Sequence, residues 1–333
     1  MPTLAPETLS AEFRRCLTAV GFDAAAAVEL AGIFLDNTLA GVPSHGVNRF
    51  PRFIAQVRAG HVDPTAQPER GLSLGALERW SGNGGAGPLA ARRMMTRATE
   101  LAGTHGVGVV ALANTNHWMR GGTFAYEAAE RGFFAICWTN TIALMPPWGA
   151  VTPTIGNNPL VVAVPGEPVT LVDMAMSLYS YGALERQRLA GRQLEADGGY
   201  DLDGHLTRDP AAIEASRRLL PAGLWKGSSL AIVLDMAAAL MSGGLATVAI
   251  TEDRPEESLI SQVFLAVDLG RLVDSAERDA TLARIRDHIT GSTPVDPARP
   301  VRLPGHELAE RIARQRRDGI EVDDAIWARI RAL

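Results

Sequence analysis

At 333 residues, 47% of them hydrophobic and 21% charged, the chain has ample material for a packed core and a length that favours two domains, which excludes a disordered protein. A formal net charge of -5, with Lys and Arg scattered rather than run together, leaves no basic footprint and makes nucleic acid an unexpected partner. The two cysteines, Cys16 and Cys137, lie far apart among apolar neighbours, the start shows no basic-then-apolar leader, and the longest apolar run, 230–241, is broken by Asp235; a cytoplasmic protein without a disulfide or a membrane span is expected.

The apolar positions Leu9, Phe13, Cys16, Leu17 and Val20 follow helical spacing, and Gly21 closes that helix. Asp23 caps an alanine-rich helix running to about Leu39, and Gly41-Val42-Pro43 then delivers the chain into Ser44-His45-Gly46-Val47-Asn48-Arg49-Phe50-Pro51-Arg52. Pro51 suits a first helical turn, and Phe53, Ile54 and Val57 predict a short helix ending at Gly60. After about residue 70 short β-type runs appear at 107–112, 133–138, 160–164 and 169–172, with helices over 89–102 and 123–131. The stretch from Asp197-Gly198-Gly199 to Thr207-Arg208-Asp209-Pro210 reads as a polar surface loop containing a turn. A long apolar helix is predicted from Ser228 to about Met241, stopped by Gly243-Gly244, followed by a last strand near 263–267 and a helical tail. The class is α/β (α+β), with a nested layout: residues 1–73 and about 285–333 form a helical domain, and 74–284 form a mixed sheet domain.

The stretch from Ser44 to Arg52 holds the most promising chemistry. A histidine passes protons near neutral pH, and an arginine four residues on, if the backbone turns helically, shares its face and can grip a carboxylate. A solvated helix edge explains the same residues. Gly82-Asn83-Gly84-Gly85-Ala86-Gly87 matches the dinucleotide glycine pattern, but the acidic residue required further on is missing, and a glycine turn before Pro88 opens a helix is the simpler explanation. Asp201-Leu202-Asp203-Gly204 fails as a calcium loop because the first and last ligand positions fall on Gly199 and Pro210. His306-Glu307-Leu308-Ala309-Glu310 lacks the second histidine of a zinc protease, so no metal site is expected. Trp225-Lys226-Gly227-Ser228-Ser229 brings a lysine and free backbone amides to a helix start, an anion site in outline, and Pro304-Gly305-His306-Glu307 opens another helix. Asn116-His117-Trp118-Met119-Arg120-Gly121-Gly122 sets a histidine just after a strand.

Taken in order, the Ser44–Arg52 and Asn116–Gly122 motifs, Val172-Asp173-Met174-Ala175, Trp225-Lys226-Gly227 and Leu303-Pro304-Gly305-His306-Glu307 resemble the type-2 malate/L-lactate dehydrogenase family. Wording such as Leu189-Ala190-Gly191-Arg192-Gln193 and Gly319-Ile320-Glu321-Val322-Asp323-Asp324 is similar to members that reduce sugar-derived 2-keto acids. The resemblance implies an NAD(P)-dependent oxidoreductase with a non-Rossmann cofactor-binding sheet domain, assembled as a homodimer, and it demotes the glycine run at Gly82. It carries the cofactor contacts onto Val169, Thr170, Leu171, Val172, Asp173, Met174 and Ala175, onto Trp225 and Lys226, and onto Gly305, His306 and Glu307. NADH is the expected cofactor, with NADPH as the alternative. The proton donor falls on His45, whereas some members assign the acid to the position of His117. Arg49 or Arg52 is expected to hold the substrate carboxylate, with Asn116 and Arg120 as further contacts. The implied reaction is hydride delivery to a keto carbon beside a carboxylate, with His45 as imidazolium protonating the developing alkoxide. Two alternatives stand beside it: a smaller keto acid of malate or lactate type or a cyclic imino acid, and a keto-acid binding protein without turnover, against which the intact His45 and Lys226 argue.

Overall fold

Residues 2–253 and 257–333 are described by the computed structural model. β1 (Thr3–Leu4) leads into α1 (Pro6–Ala19), which buries Leu9, Phe13, Cys16 and Leu17 and stops where Gly21 takes a φ of 102°. α2 (Ala24–Leu39) is capped by Asp23, whose carboxylate accepts from the Ala26 amide at 2.8 Å. A single 3-10 turn, Pro43–His45, follows, and then α3 (Phe50–Arg58), with Pro51 in its first turn. The rings of Phe13 and Phe50 lie 4.2 Å apart, and Phe34 meets Phe50 edge-on at 5.1 Å, so one aromatic knot locks the three helices.

The middle of the chain builds the sheet. Its elements are β2 (Glu69–Leu74), β3 (Leu77–Ser81), α4 (Gly87–His105), β4 (Val107–Thr115), α5 (Gly121–Glu130), β5 (Phe133–Thr139), the small pair β6 (Ala143–Met145) and β7 (Ile155–Gly156), then β8 (Leu160–Val164) and β9 (Thr170–Met174). After these come α6 (Tyr181–Leu189), β10 (Gly199–Tyr200), β11 (Leu206–Thr207), α7 (Pro210–Ser216), α8 (Trp225–Ser242), α9 (Thr247–Asp253) and β12 (Ile260–Asp268). The tail holds α10 (Ser275–Thr290), α11 (Leu308–Asp318), β13 (Ile320–Glu321) and α12 (Asp324–Arg331).

The large sheet runs β2-β3-β4-β12-β5-β8-β9, and only the β3–β4 neighbours are parallel. Period-two alternation sorts its faces. Val110, Leu112, Phe264 and Cys137 point to α4 and α5, while Ala111 and Val263 point to Ala238 of α8 on the other face. β9 is left as an edge, and it borders the functional cavity. Both chain ends enter the helical layer: β1 pairs with β13, and Ile320, Val322 and Ile330 pack into the same cluster as Leu9, Phe34 and Phe53. Cys16 and Cys137 are buried free thiols. No single helix among the described residues is long and apolar enough to cross a membrane.

Several expectations need correction. Residue 73 falls inside β2 and residue 285 inside α10; β2 is exposed along its whole length and α10 has no buried residue, so neither carries a readable apolar stripe. The polar stretch after Asp197 forms the β10–β11 hairpin, and α6 and α7 flank it. The strand expected over 169–172 runs from Thr170 to Met174. The long apolar helix starts at Trp225 rather than Ser228, because Leu224 takes a left-handed φ of 60° and turns the chain early. Its first amides are consequently occupied: Lys226, Gly227 and Ser228 donate to the carbonyls of Gly223, Ala222 and Leu224. The anion site outlined there lacks free amide donors at these three positions.

Candidate active site

His45 sits at the end of the 3-10 turn, and the loop behind it lies flat on α2. A Cβ on Gly46 would lie 2.2 Å from Thr38 Oγ1, and that same hydroxyl accepts from the Val47 amide at 2.9 Å. The His45 carbonyl accepts from Asn37 Nδ2 at 3.0 Å, Asn37 Oδ1 accepts from Thr123 Oγ1 at 2.6 Å, and Thr123 Oγ1 accepts from Arg120 Nη1 at 3.2 Å. One buried polar chain therefore ties the His45 backbone in the helical layer to Arg120 at the head of α5.

His117 reaches the same place from the end of β4. The glycine run explains how: a Cβ on Gly87 would lie 2.1 Å from the Asn116 carbonyl oxygen and 2.5 Å from that of His117, so these glycines let the start of α4 press against the histidine segment. Gly87 is thus required by packing. The rings of His45 and His117 stand with centroids 5.4 Å apart. His117 Nδ1 accepts from the Met119 amide at 2.9 Å, an arrangement that needs Met119 at a φ of 67°. A backbone N–H can only donate, so Nδ1 is an acceptor and the neutral ring carries its proton on Nε2.

Both histidines line a cavity of about 980 Å³ between the helical layer and the β9 edge, together with Arg49, Arg52, Arg120, Leu171, Asp173, Ala175, Gly305, His306 and Glu307. The period of two in β9 explains the partial match to the expected cofactor segment: Leu171, Asp173 and Ala175 face the cavity, whereas Thr170, Val172 and Met174 do not line it and Val169 is buried in the sheet core. Gly305, at a φ of 81°, brings its turn against β9, where a Cβ would lie 2.9 Å from Leu171 Cβ; Leu171 N donates to the Pro304 carbonyl at 3.1 Å. That close backbone approach suits a wall against which a flat cofactor ring or a pyrophosphate packs. Thr170 Oγ1 lies 3.3 Å from His306 Nε2 and steadies the same turn, while Glu307 pairs with Arg302.

Outside β9, three more expected contacts do not reach the cavity. Asn116 is buried with its amide donating to the carbonyls of Gly84 and Gly85 at 2.8 and 2.9 Å, which braces the glycine turn. Trp225 and Lys226 lie exposed at the start of α8, outside the cavity.

Electrostatics set the protonation states. Burial, then Arg49 and Arg120, lower the His45 imidazolium to a pKa of about 4. Burial followed by Arg49, His45 and Arg52 also keeps His117 well below the ordinary histidine range. Burial raises the Asp173 carboxyl, against Arg120 and a hydrogen bond from the Gly122 amide at 2.9 Å; burial likewise raises Glu257, which also faces Arg49 and Arg52. The site is thus a cationic hollow with two neutral imidazoles, ready for an anion. Sequence reasoning missed Asn37, Glu257 and Tyr181 here. A polar side chain on the buried face of an apolar helix is a usable signal for Asn37, whereas nothing local marks the other two.

The profile of the malate/L-lactate dehydrogenase family matches residues 4–331. The chain is 53% identical over 327 residues to the 2,3-diketo-L-gulonate reductase of Escherichia coli O81 (strain ED1a), covering 98% of both chains. Among solved structures, it is similar to the sulfolactate dehydrogenase of Methanocaldococcus jannaschii (26% identity, TM-score 0.89, 99% and 96% of the two chains). The malate dehydrogenase of Entamoeba histolytica shares the fold at 20% identity with a TM-score of 0.94, over 99% and 96% of the chains.

Proposed function

This chain belongs to the malate/L-lactate dehydrogenase family, and on that footing we propose that it reduces a sugar-derived 2-keto acid, 2,3-diketo-L-gulonate, to 3-dehydro-L-gulonate with NADH. It is an oxidoreductase of 2-hydroxy and 2-keto acids. The observation that carries the chemistry is the convergence of His45, His117, Arg49 and Arg52, from two distant segments, on one cavity that also holds Leu171, Asp173 and Gly305, and the 53% identity to a 2,3-diketo-L-gulonate reductase supports the choice of substrate.

When bound, the nicotinamide supplies the hydride that adds to the keto carbon. Arg49 and Arg52 hold the substrate carboxylate and orient the carbonyl toward the histidines. His117 stays neutral and directs its Nε2–H at the keto oxygen, since protonating Nδ1 would set two donors face to face with Met119 N. His45 is the proton donor. It is neutral in the free protein, and the arriving carboxylate offsets the arginine charges that disfavour its imidazolium, so substrate binding and protonation of His45 occur together. General acid catalysis of this kind contributes about 10²–10⁴ in rate.

The assembly in this proposal is a homodimer. α8 supports it by exposing Val233, Met236 and Leu240 at 58%, 58% and 78% along one helical stripe that begins at Trp225. Trp225 and Lys226 serve the cofactor only if a second copy brings them to the cavity mouth, which ties that part of the cofactor site to the dimer. Two buried free thiols suit the reducing cytoplasm as location. Assaying a panel of 2-keto acids with NADH and with NADPH tests the whole proposal: fastest turnover of the diketogulonate with NADH supports it, and a preference for pyruvate, oxaloacetate or a cyclic imine, or for NADPH, overturns the corresponding part.

A further inference from the structure

We propose that the phenol of Tyr181 is the specificity-determining contact for the hydroxylated tail of the keto acid, an inference that rests on the substrate named above. Tyr181 opens α6, whose cap Ser180 accepts from the Ala183 amide. Its ring packs against the satellite cluster that contains Leu144, Leu184, Ile213 and Leu219, which fixes where the hydroxyl points. That hydroxyl oxygen is buried yet has no hydrogen-bond partner among the described residues. An unpaired buried hydroxyl is unfavourable and uncommon, and a ligand that bonds it removes the penalty.

Position supports a substrate rather than a structural partner. Tyr181 lines the same cavity as His45. A Cβ on Gly182 would lie 2.8 Å from Ser44 Cβ and Oγ, so the residue after Tyr181 touches the residue before His45. Tyr181 and His45 therefore belong to adjoining walls of one cavity. The surrounding lining at this end, Glu185, Glu214, Arg217 and Glu257, supplies acceptors and a donor. Substrate hydroxyls, each donor and acceptor at once, match that lining better than an apolar tail does. Burial holds the phenol pKa up to about 12, which keeps it a neutral donor across the working range.

The test compares Tyr181→Phe with the wild type on two acids, 2,3-diketo-L-gulonate and pyruvate, with thermal unfolding alongside. The ratio of kcat/KM for the hydroxylated acid over the unhydroxylated one is expected to fall about tenfold, the loss of one neutral hydrogen bond, and chiefly through KM. The KM for NADH is expected to be unchanged and the Tm equal or higher, because the hydroxyl has no partner among the described residues to lose. An unchanged ratio, a raised KM for NADH, or a lowered Tm overturns the proposal, the last two by giving the phenol to the cofactor or to the fold. If the wild type itself prefers pyruvate, the substrate assignment fails and takes this proposal with it. If the wild type prefers the sugar acid and the ratio is unmoved by Tyr181→Phe, the substrate assignment stands and only the role of Tyr181 is wrong.

Discussion

The protonation of His45 makes a sharp claim about pH. In the free protein its pKa is about 4 against an ordinary value of 6.5, a difference that disfavours the imidazolium by on the order of 3 kcal/mol and leaves roughly one molecule in a thousand protonated at pH 7. Arg49, Arg120 and the facing His117 surround the ring, with Arg52, Asp173 and Glu257 elsewhere in the same cavity. A proton donor works in its protonated form, so activity is lost as pH rises through its pKa. The profile of kcat/KM reports the free enzyme and that of kcat the loaded one. With keto acid varied at saturating NADH, log kcat/KM should therefore fall by about one for each pH unit between roughly pH 6 and 8, while kcat stays level to a higher pH because the bound carboxylate has raised the His45 pKa. Calorimetric titration with an unreactive 2-hydroxy acid in two buffers of different ionisation heat should register the uptake of about one proton. A flat kcat/KM profile over that range, or kcat and kcat/KM bending at the same pH, would mean that His45 is not protonated together with substrate binding.

Glu78, only 1% exposed, accepts from Arg97 at 2.8 and 3.0 Å and from Trp80 at 2.9 Å, and these bonds, led by Arg97, bring its carboxyl down to about 2. Its folded pKa is depressed, so its contribution is present above the ordinary value of 4.5 and is lost as pH falls through about 2; Glu78→Gln should cost about 2–3 kcal/mol in urea unfolding at pH 7, with a smaller cost at pH 3. An equal cost at both pH values would count against it. Gly87→Ala would force a Cβ to 2.1 Å from the Asn116 carbonyl, and we expect a loss of about 3 kcal/mol together with a fall in kcat as the His117 segment shifts; a variant with wild-type stability and rate would contradict the packing role. Met236→Glu should convert a dimer into monomers in size-exclusion chromatography with light scattering and raise the KM for NADH, and a wild type that already runs as a monomer would remove the dimer from the account.

The helical layer was legible because its signals are local. Asp23 stands one residue before an apolar-periodic run, and Gly21 and Gly60 take the left-handed turns their positions demand. The sheet's extent was less so. β2 is exposed on both faces and lacks alternation, and the central strand β12 arrives from late in the chain, so its place between β4 and β5 is a tertiary fact. α6 buries only Leu184, which leaves no stripe to read. In the site, His45 and Arg49 were readable from one stretch, and His117 from its loop after a strand. Asn116 misled because its motif neighbours His117 and Arg120 line the cavity while its own amide is committed to Gly84 and Gly85. The left-handed turn at Leu224 that shifts the start of α8, and with it the amides beside Lys226, has no sequence signature, since leucine rarely adopts it.

His45 as the proton donor and His117 as a neutral hydrogen-bond donor place different demands on the chemical step. Stopped-flow single turnover, following the loss of NADH absorbance on mixing with 2,3-diketo-L-gulonate, tests these roles with the wild type, His45→Ala and His117→Gln side by side. A fast transient is expected in the wild type, with a loss of about 10²–10⁴ in rate for His45→Ala and a milder loss for His117→Gln, whose amide can still donate. Retained fast reduction in His45→Ala, with chemistry abolished in His117→Gln, would contradict these roles and move the acid to the other ring.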